Sequence, residues 1–118
     1  MTSLWQPGQL LFAGFKGTEV PRELAELLAE GRIGGVILFA RNIVDATQVR
    51  ALTAALHAAA PPEAPVLLAI DQEGGRVQRL RRPWTEWPPM RVLGERDDPA
   101  TTAAVATALA RELADLGI

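Results

Sequence analysis

The chain has 118 residues, 48% of them hydrophobic and 22% charged, the make-up of a globular domain or of part of a larger one. Its net charge of −2 offers no basic field for nucleic acid, and 5% aromatic content without tyrosine gives little for base stacking. Cysteine is absent and His57 is the only histidine, which excludes disulfides, cysteine metal sites and a multi-histidine metal centre built from this chain alone. The lack of cysteine also fits a cytoplasmic chain.

The opening stretch MTSLWQPGQLLFAGF has no basic start and no long apolar core, and does not read as a signal peptide. No apolar run approaches the ~20 residues that span a bilayer. QLLFAGF, from Gln9 to Phe15, predicts the first strand. Pro21 to Glu30 predicts a helix: proline suits a first helical position, Leu24, Leu27 and Leu28 make an i, i+3, i+4 stripe, and Gly31 is the stop. GVILFA, from Gly35 to Ala40, is apolar throughout, the pattern of a parallel strand covered on both faces. Asp45 caps the second helix, with Gln48 completing a capping box and Val49, Leu52, Leu56 and Ala59 on one face. VLLAI, from Val66 to Ile70, predicts the third strand. The last helix starts at Asp98-Pro99, turns Val105, Leu109, Leu113 and Leu116 inward and stops at Gly117.

Repeated β/α units with buried strands imply a parallel sheet with right-handed crossovers. Three parallel strands rarely cover themselves, since usual sheets have about 4–6 strands, and an eight-unit barrel needs roughly 250 residues. The sequence stops at Ile118, after a helix stop and where a fourth strand is due. The expected fold class is therefore α/β, with residues 1–118 forming the N-terminal portion of a (β/α)8 TIM-type barrel of parallel strands and ending before strand four. The alternative is a complete small three-layer domain.

The segment from Gln72 to Asp97 is far longer than the ~2–6 residues usual between strand and helix. In parallel β/α folds such loops build the site. It opens with AIDQEGGRVQRLRR: Asp71 at the strand end, Glu73 beyond it, a glycine pair, then Arg76, Arg79, Arg81 and Arg82. Several readings fit these residues. Asp71 and Glu73 can form a catalytic carboxylate pair, since same-face neighbours on an extended chain lie roughly 6–7 Å apart and retaining glycosidases need about 5–5.5 Å. The glycines and arginines can cradle a phosphate, although such loops normally run straight into a helix, and here RLRRPWTEWPP intervenes. Asp71 and one arginine can bind the hydroxyls of a polar ligand. A salt-bridged turn holding the loop down is the purely structural reading.

GGVILFARN (Gly34 to Asn42), DQEGGRVQRL (Asp71 to Leu80) and WPPMRVLG (Trp87 to Gly94), in this order and followed by ALARELADLGI, resemble the N-terminal part of bacterial β-N-acetylhexosaminidases of glycoside hydrolase family three. The resemblance implies a (β/α)8-type barrel and removal of terminal N-acetylglucosamine from β-linked glycosides, notably cell-wall fragments during peptidoglycan recycling in the cytoplasm. It implies a retaining mechanism through a covalent glycosyl-enzyme and no cofactor. In that family the aspartate opening D-Q-E-G-G and the arginine after the second glutamine hold hydroxyls of the non-reducing-end sugar. They match Asp71 and Arg79, which become the expected substrate-binding residues.

The family's nucleophile, a late aspartate, and its acid/base histidine in a K-H-F-P-G-H-G-type segment have no counterpart here. The resemblance thus assigns no catalytic residue to this chain and sets the Asp71/Glu73 catalytic pair aside. Glu73 becomes structural, paired with a loop arginine. His57 reads as a solvated or boundary residue, Trp84 and Trp87 as loop packing rather than sugar stacking, and Arg41-Asn42 as residues near the barrel mouth. The partner expected is a small carbohydrate, with no nucleic acid and no membrane, and self-association through uncovered strands. The rival function is a non-catalytic sugar-binding or partner-assembled module.

Overall fold

The computed structural model describes residues 6–118. The signal-peptide reading of the N-terminus falls partly on residues 1–5, which lie outside the described residues. Strands β1 (Phe12–Ala13), β2 (Gly35–Leu38) and β3 (Leu67–Ile70) lie parallel in the order β1-β2-β3. Gly35 pairs with both Phe12 and Leu67, and Leu38 pairs with Ile70 at the carboxyl ends. Helix α1 (Arg22–Ala29) connects β1 to β2, and α2 (Ala46–Ala59) connects β2 to β3. This is the parallel β/α succession that the sequence predicts for the opening units of a barrel.

The first strand is shorter than its apolar run. Pro7 starts a 3-10 turn over Pro7–Leu10 instead, closed by Leu11 N–H donating to Gly8 O. The turn presses its backbone against the α1–β2 connection: a Cβ on Gly8 would stand 1.7 Å from Arg32 O, and one on Gly34 1.9 Å from Gln9 O. Gln9 is not a strand residue. Its Nε2 donates to the carbonyls of Gly31 and Ile33 and ties the amino ends of the strands together.

Alternation along the strands separates two faces. Val36 and Leu38 are fully buried against Leu24 and Leu28 of α1 and Leu52 and Leu56 of α2, with Ala13, Leu68 and Ile70 alongside. On the other face Phe12 is 50% and Leu67 63% exposed. The two-sided cover expected from GVILFA is thus one-sided at the sheet flanks. Phe12 lies across Gly35, where a Cβ would stand 2.2 Å from the ring.

Asp45 caps α2 as predicted, its Oδ1 accepting from Gln48 N–H at 2.8 Å. The capping box is only half made. The Gln48 side chain accepts from Val44 N–H and donates to Thr18 O and Asn42 O, so it fastens the preceding loop rather than the cap residue.

The long segment after β3 has structure of its own. It forms an antiparallel hairpin of β4 (Gln72–Gly74) and β5 (Val77–Gln78), then an irregular stretch, then α3 (Met90–Arg96) and α4 (Pro99–Asp115). The predicted inward stripe of α4 has the right phase, but Val105, Leu109 and Leu113 are only half-buried, and Leu116 alone is fully covered, in a cluster with Val49 and Leu80. Polar contacts add to this apolar cluster in docking the end of α4. Arg50 Nε donates to Asp115 O at 3.0 Å, Thr53 Oγ1 to Leu116 O at 2.6 Å, and His57 Nε2 lies 2.8 Å from Gly117 O. Three side chains one and two turns apart on α2 thereby satisfy three consecutive carbonyls at a helix end, which have no partners within their own helix. His57, expected to be solvated or at a boundary, is exposed and serves this contact.

Candidate functional site

Asp71 follows the last residue of β3, and the chain then folds back on itself. Gly74 and Gly75 both take positive φ, +84° and +57°, which lets β4 and β5 close so tightly. The tip also touches the later loop: a Cβ on Gly74 would stand 2.1 Å from Pro88 O, and Gly75 N–H donates to Trp87 O at 2.9 Å. The return strand delivers Arg79 to Asp71. Arg79 Nη2 donates to Asp71 Oδ2 at 3.0 Å, with the two side chains 28% and 38% exposed. The pair is desolvated on one side and open on the other.

Two glutamines fix this geometry, and the sequence reading missed both. Gln72 is buried; its Oε1 accepts from Arg79 N–H and Leu80 N–H, and its Nε2 donates to Leu80 O, each at 3.0 Å. Gln78, also buried, donates to Leu80 O and Thr85 O at 2.7 Å and accepts from Trp87 N–H at 2.9 Å. A buried amide carries both donors and an acceptor, so each glutamine replaces the ladder that the irregular chain cannot form with itself. Their signal in the sequence was their flanking of the glycine pair.

The carboxyl end of β2 supplies the neighbouring wall. Phe39 lies under the guanidinium of Arg41 at 4.6 Å and that of Arg79 at 5.7 Å from the ring centroid. Arg41 Nε donates to Phe15 O at 2.8 Å. Asn42, fully buried, donates to Phe15 O and Gly17 O and accepts from Phe39 N–H at 2.9 Å, so it binds the loops after β1 and β2 together. Arg41 and Asn42 thus lie just beyond the carboxyl end of β2, in different roles: one charged and exposed, the other an internal brace.

Other expectations change. Glu73 is exposed and, among the described residues, has no ion pair. The loop arginines are used elsewhere: Arg82 pairs with Glu86 at 2.8 Å, and Arg81 donates to Gly75 O at 2.9 Å. A phosphate cradle does not form, since the glycine pair leads into a strand rather than a helix N-terminus. Trp84 packs against the cluster of Val49, Leu80 and Leu116. Trp87 is half-buried, and its Nε1 donates to Glu112 Oε2 of α4 at 3.2 Å.

Charged and polar side chains beyond the carboxyl ends of parallel strands mark an α/β domain with its candidate site at that end of the sheet. Residues 5–118 match the family model described as the glycosyl hydrolase family 3 N terminal domain, and the chain belongs to that family. A beta-hexosaminidase of Alkalilimnicola ehrlichii is 47% identical over 97 residues, covering 80% of this chain and 27% of the relative. One of Nitrosomonas eutropha is 50% identical over 92 residues, covering 78% and 25%. Among solved structures, NagZ from Neisseria gonorrhoeae in complex with N-trifluoroacetyl-D-glucosamine superposes with a TM-score of 0.74 at 36% identity, over 92% of this chain and 33% of that one. A glycoside hydrolase family 3 β-N-acetylglucosaminidase from Paenibacillus gives 0.83 at 38% identity, over 94% and 22%. The chain spans about a quarter to a third of the length of the curated relatives it matches.

Proposed function

We propose that residues 1–118 are the N-terminal part of the catalytic barrel of a retaining β-N-acetylhexosaminidase, and that they bind the non-reducing-end N-acetylglucosamine through Asp71 and Arg79 without supplying a catalytic group. The observation that carries this is the Asp71–Arg79 pair, held at 3.0 Å on the carboxyl side of β3 with one side open. A carboxylate accepts from two sugar hydroxyls, and a guanidinium donates to two oxygens, so together they fix one orientation of the ring. The naming of the relatives as beta-hexosaminidases and the glucosamine derivative bound to the Neisseria enzyme support the same substrate class. The setting we propose is the cytoplasm, with peptidoglycan fragments as substrate and no cofactor, nucleic acid or membrane partner. No helix among the described residues is long and apolar enough to cross a membrane.

The test is a chimera in which this segment replaces the matching part of the Alkalilimnicola relative. It should hydrolyse a chromogenic β-N-acetylglucosaminide, and Asp71→Asn should lower kcat/KM about 10- to 150-fold, the worth of a charge-assisted hydrogen bond. The 118-residue chain alone should give no turnover. A folded chimera that is inactive, or equally active with Asp71→Asn, overturns the proposal. Turnover by the isolated chain that Asp71→Ala abolishes would restore the Asp71/Glu73 catalytic pair.

A further inference from the structure

Arg79 is held in an unusual way for a buried-edge cation. Its Nη2 meets Asp71, but its Nε is buried and, among the described residues, has no hydrogen-bond acceptor. The Phe39 ring also stands against the guanidinium, 5.7 Å from Cζ and within cation–π range. Phe39 is in turn fixed. Its backbone N–H is bonded to buried Asn42, Arg41 lies over its ring, and Gly14 leaves room beside it, where a Cβ would come within 3.2 Å of Phe39 Cε2.

We infer that Phe39 is a positioning residue for Arg79, and through it a determinant of sugar affinity at the proposed site. The reason is chemical. A guanidinium carries its five N–H donors in its plane and can stack its face on a π system. A carboxylate or carbonyl at position 39 would hold the cation by consuming those donors. An aromatic ring attracts the face and leaves in-plane donors free for ligand oxygens. Phe39 therefore compensates the partly desolvated charge without competing with the ligand. This role rests on the sugar-binding reading of Asp71 and Arg79, but the geometry of Arg79 can be tested without sugar.

Two measurements on the folded chimera decide it. In the free protein the Arg79 Nε–H resonance should be ring-current shifted and slow to exchange with solvent. Phe39→Leu should abolish both properties, Phe39→Tyr should keep them, and far-UV dichroism should be the same for all three. Titration with N-acetylglucosamine should show Phe39→Leu weakened about 3- to 30-fold, the range of a partly desolvated cation–π contact, and Phe39→Tyr within about twofold of the parent. An unchanged Arg79 resonance in Phe39→Leu overturns the inference whatever the sugar does. Loss of affinity in Asp71→Asn but not in Phe39→Leu overturns it and leaves the binding site standing. If the parent does not bind the sugar, the affinity role falls with the binding reading, and the Nε–H signal alone settles whether Phe39 holds Arg79.

Discussion

Glu112 of α4 and Trp87 of the loop after β5 share a hydrogen bond of 3.2 Å, and the same carboxylate accepts from both Thr85 N–H at 3.1 Å and Thr85 Oγ1 at 2.7 Å. One side chain on a helix thereby fastens the loop that supports the hairpin. Glu112→Ala should cost about 1–2 kcal/mol, a charged hydrogen bond discounted for its partial exposure. Denaturant unfolding followed by tryptophan emission measures it. Glu112→Gln, which keeps the side-chain volume and one acceptor oxygen, should lose less than half as much; equal losses would mean that the carboxylate's charge, rather than its packing or a neutral acceptor, makes the clamp.

Two glycines in this region should respond in opposite directions to the same change. At Gly74, with φ +84°, a methyl group meets Pro88 O at 2.1 Å, so Gly74→Ala adds backbone strain of about 1–3 kcal/mol to a steric clash. At Gly94, inside α3 with open space around it, Gly94→Ala should stabilise by about 0.5–1 kcal/mol. Thermal melts of the two variants should move to either side of the parent.

How much of this was legible in the sequence differs by residue. The stripe of Leu24 and Leu28, the run from Val36 to Leu38 and the Asp45 and Asp98 caps follow from periodicity and local hydrogen bonding, and they appear where the pattern put them. The short β1 did not, because Gln9 looks like any strand-edge polar residue until the carbonyls of Gly31 and Ile33 are brought beside it. The bonds made by Gln72, Gln78, Asn42 and Glu112 were illegible for the same reason: their partners are backbone groups, or side chains far along the chain, whose positions exist only after folding. Asp71 and Arg79 were legible as a motif, not from spacing, which had equally offered Glu73 as the partner.

The Asp98 carboxyl lies below its ordinary value of 3.8, chiefly because the Thr101 hydroxyl donates to it, and further because the backbone N–H groups of Thr101 and Ala100 do. A depressed carboxylate stabilises above its unfolded value and loses that contribution as pH falls through its folded value. The start of α4 should therefore fray only in acid. The amide signals of Ala100 and Thr101 should titrate with a midpoint below 3.8, and Thr101→Val should move that midpoint upward. A parent midpoint at or above 3.8 would refute the cap's electrostatic role.

The open sheet face predicts association. With Leu67 at 63% and Phe12 at 50% exposure on one face, and Leu10 and Leu11 exposed nearby, the 118-residue chain should sediment as more than a monomer and bind hydrophobic dyes. Leu67→Glu should shift it toward monomer. A dilute parent sample that is strictly monomeric with one sharp melt would favour a self-contained small domain.

The bonds from Arg50, Thr53 and His57 to the carbonyls of Asp115, Leu116 and Gly117 join positions 60 or more apart in sequence. During vectorial synthesis α2 leaves the ribosome well before the groups it is to cap. The three parallel strands and two helices can then collapse first on their shared apolar face, while those three side chains still face water. Helix α4 emerges after them and finds its landing site already built. The order of emergence thus separates the nucleating part of the chain from the part that is latched on afterwards, and substitutions at the latch should alter how long the nascent chain stays accessible to chaperones more than whether its first strands assemble.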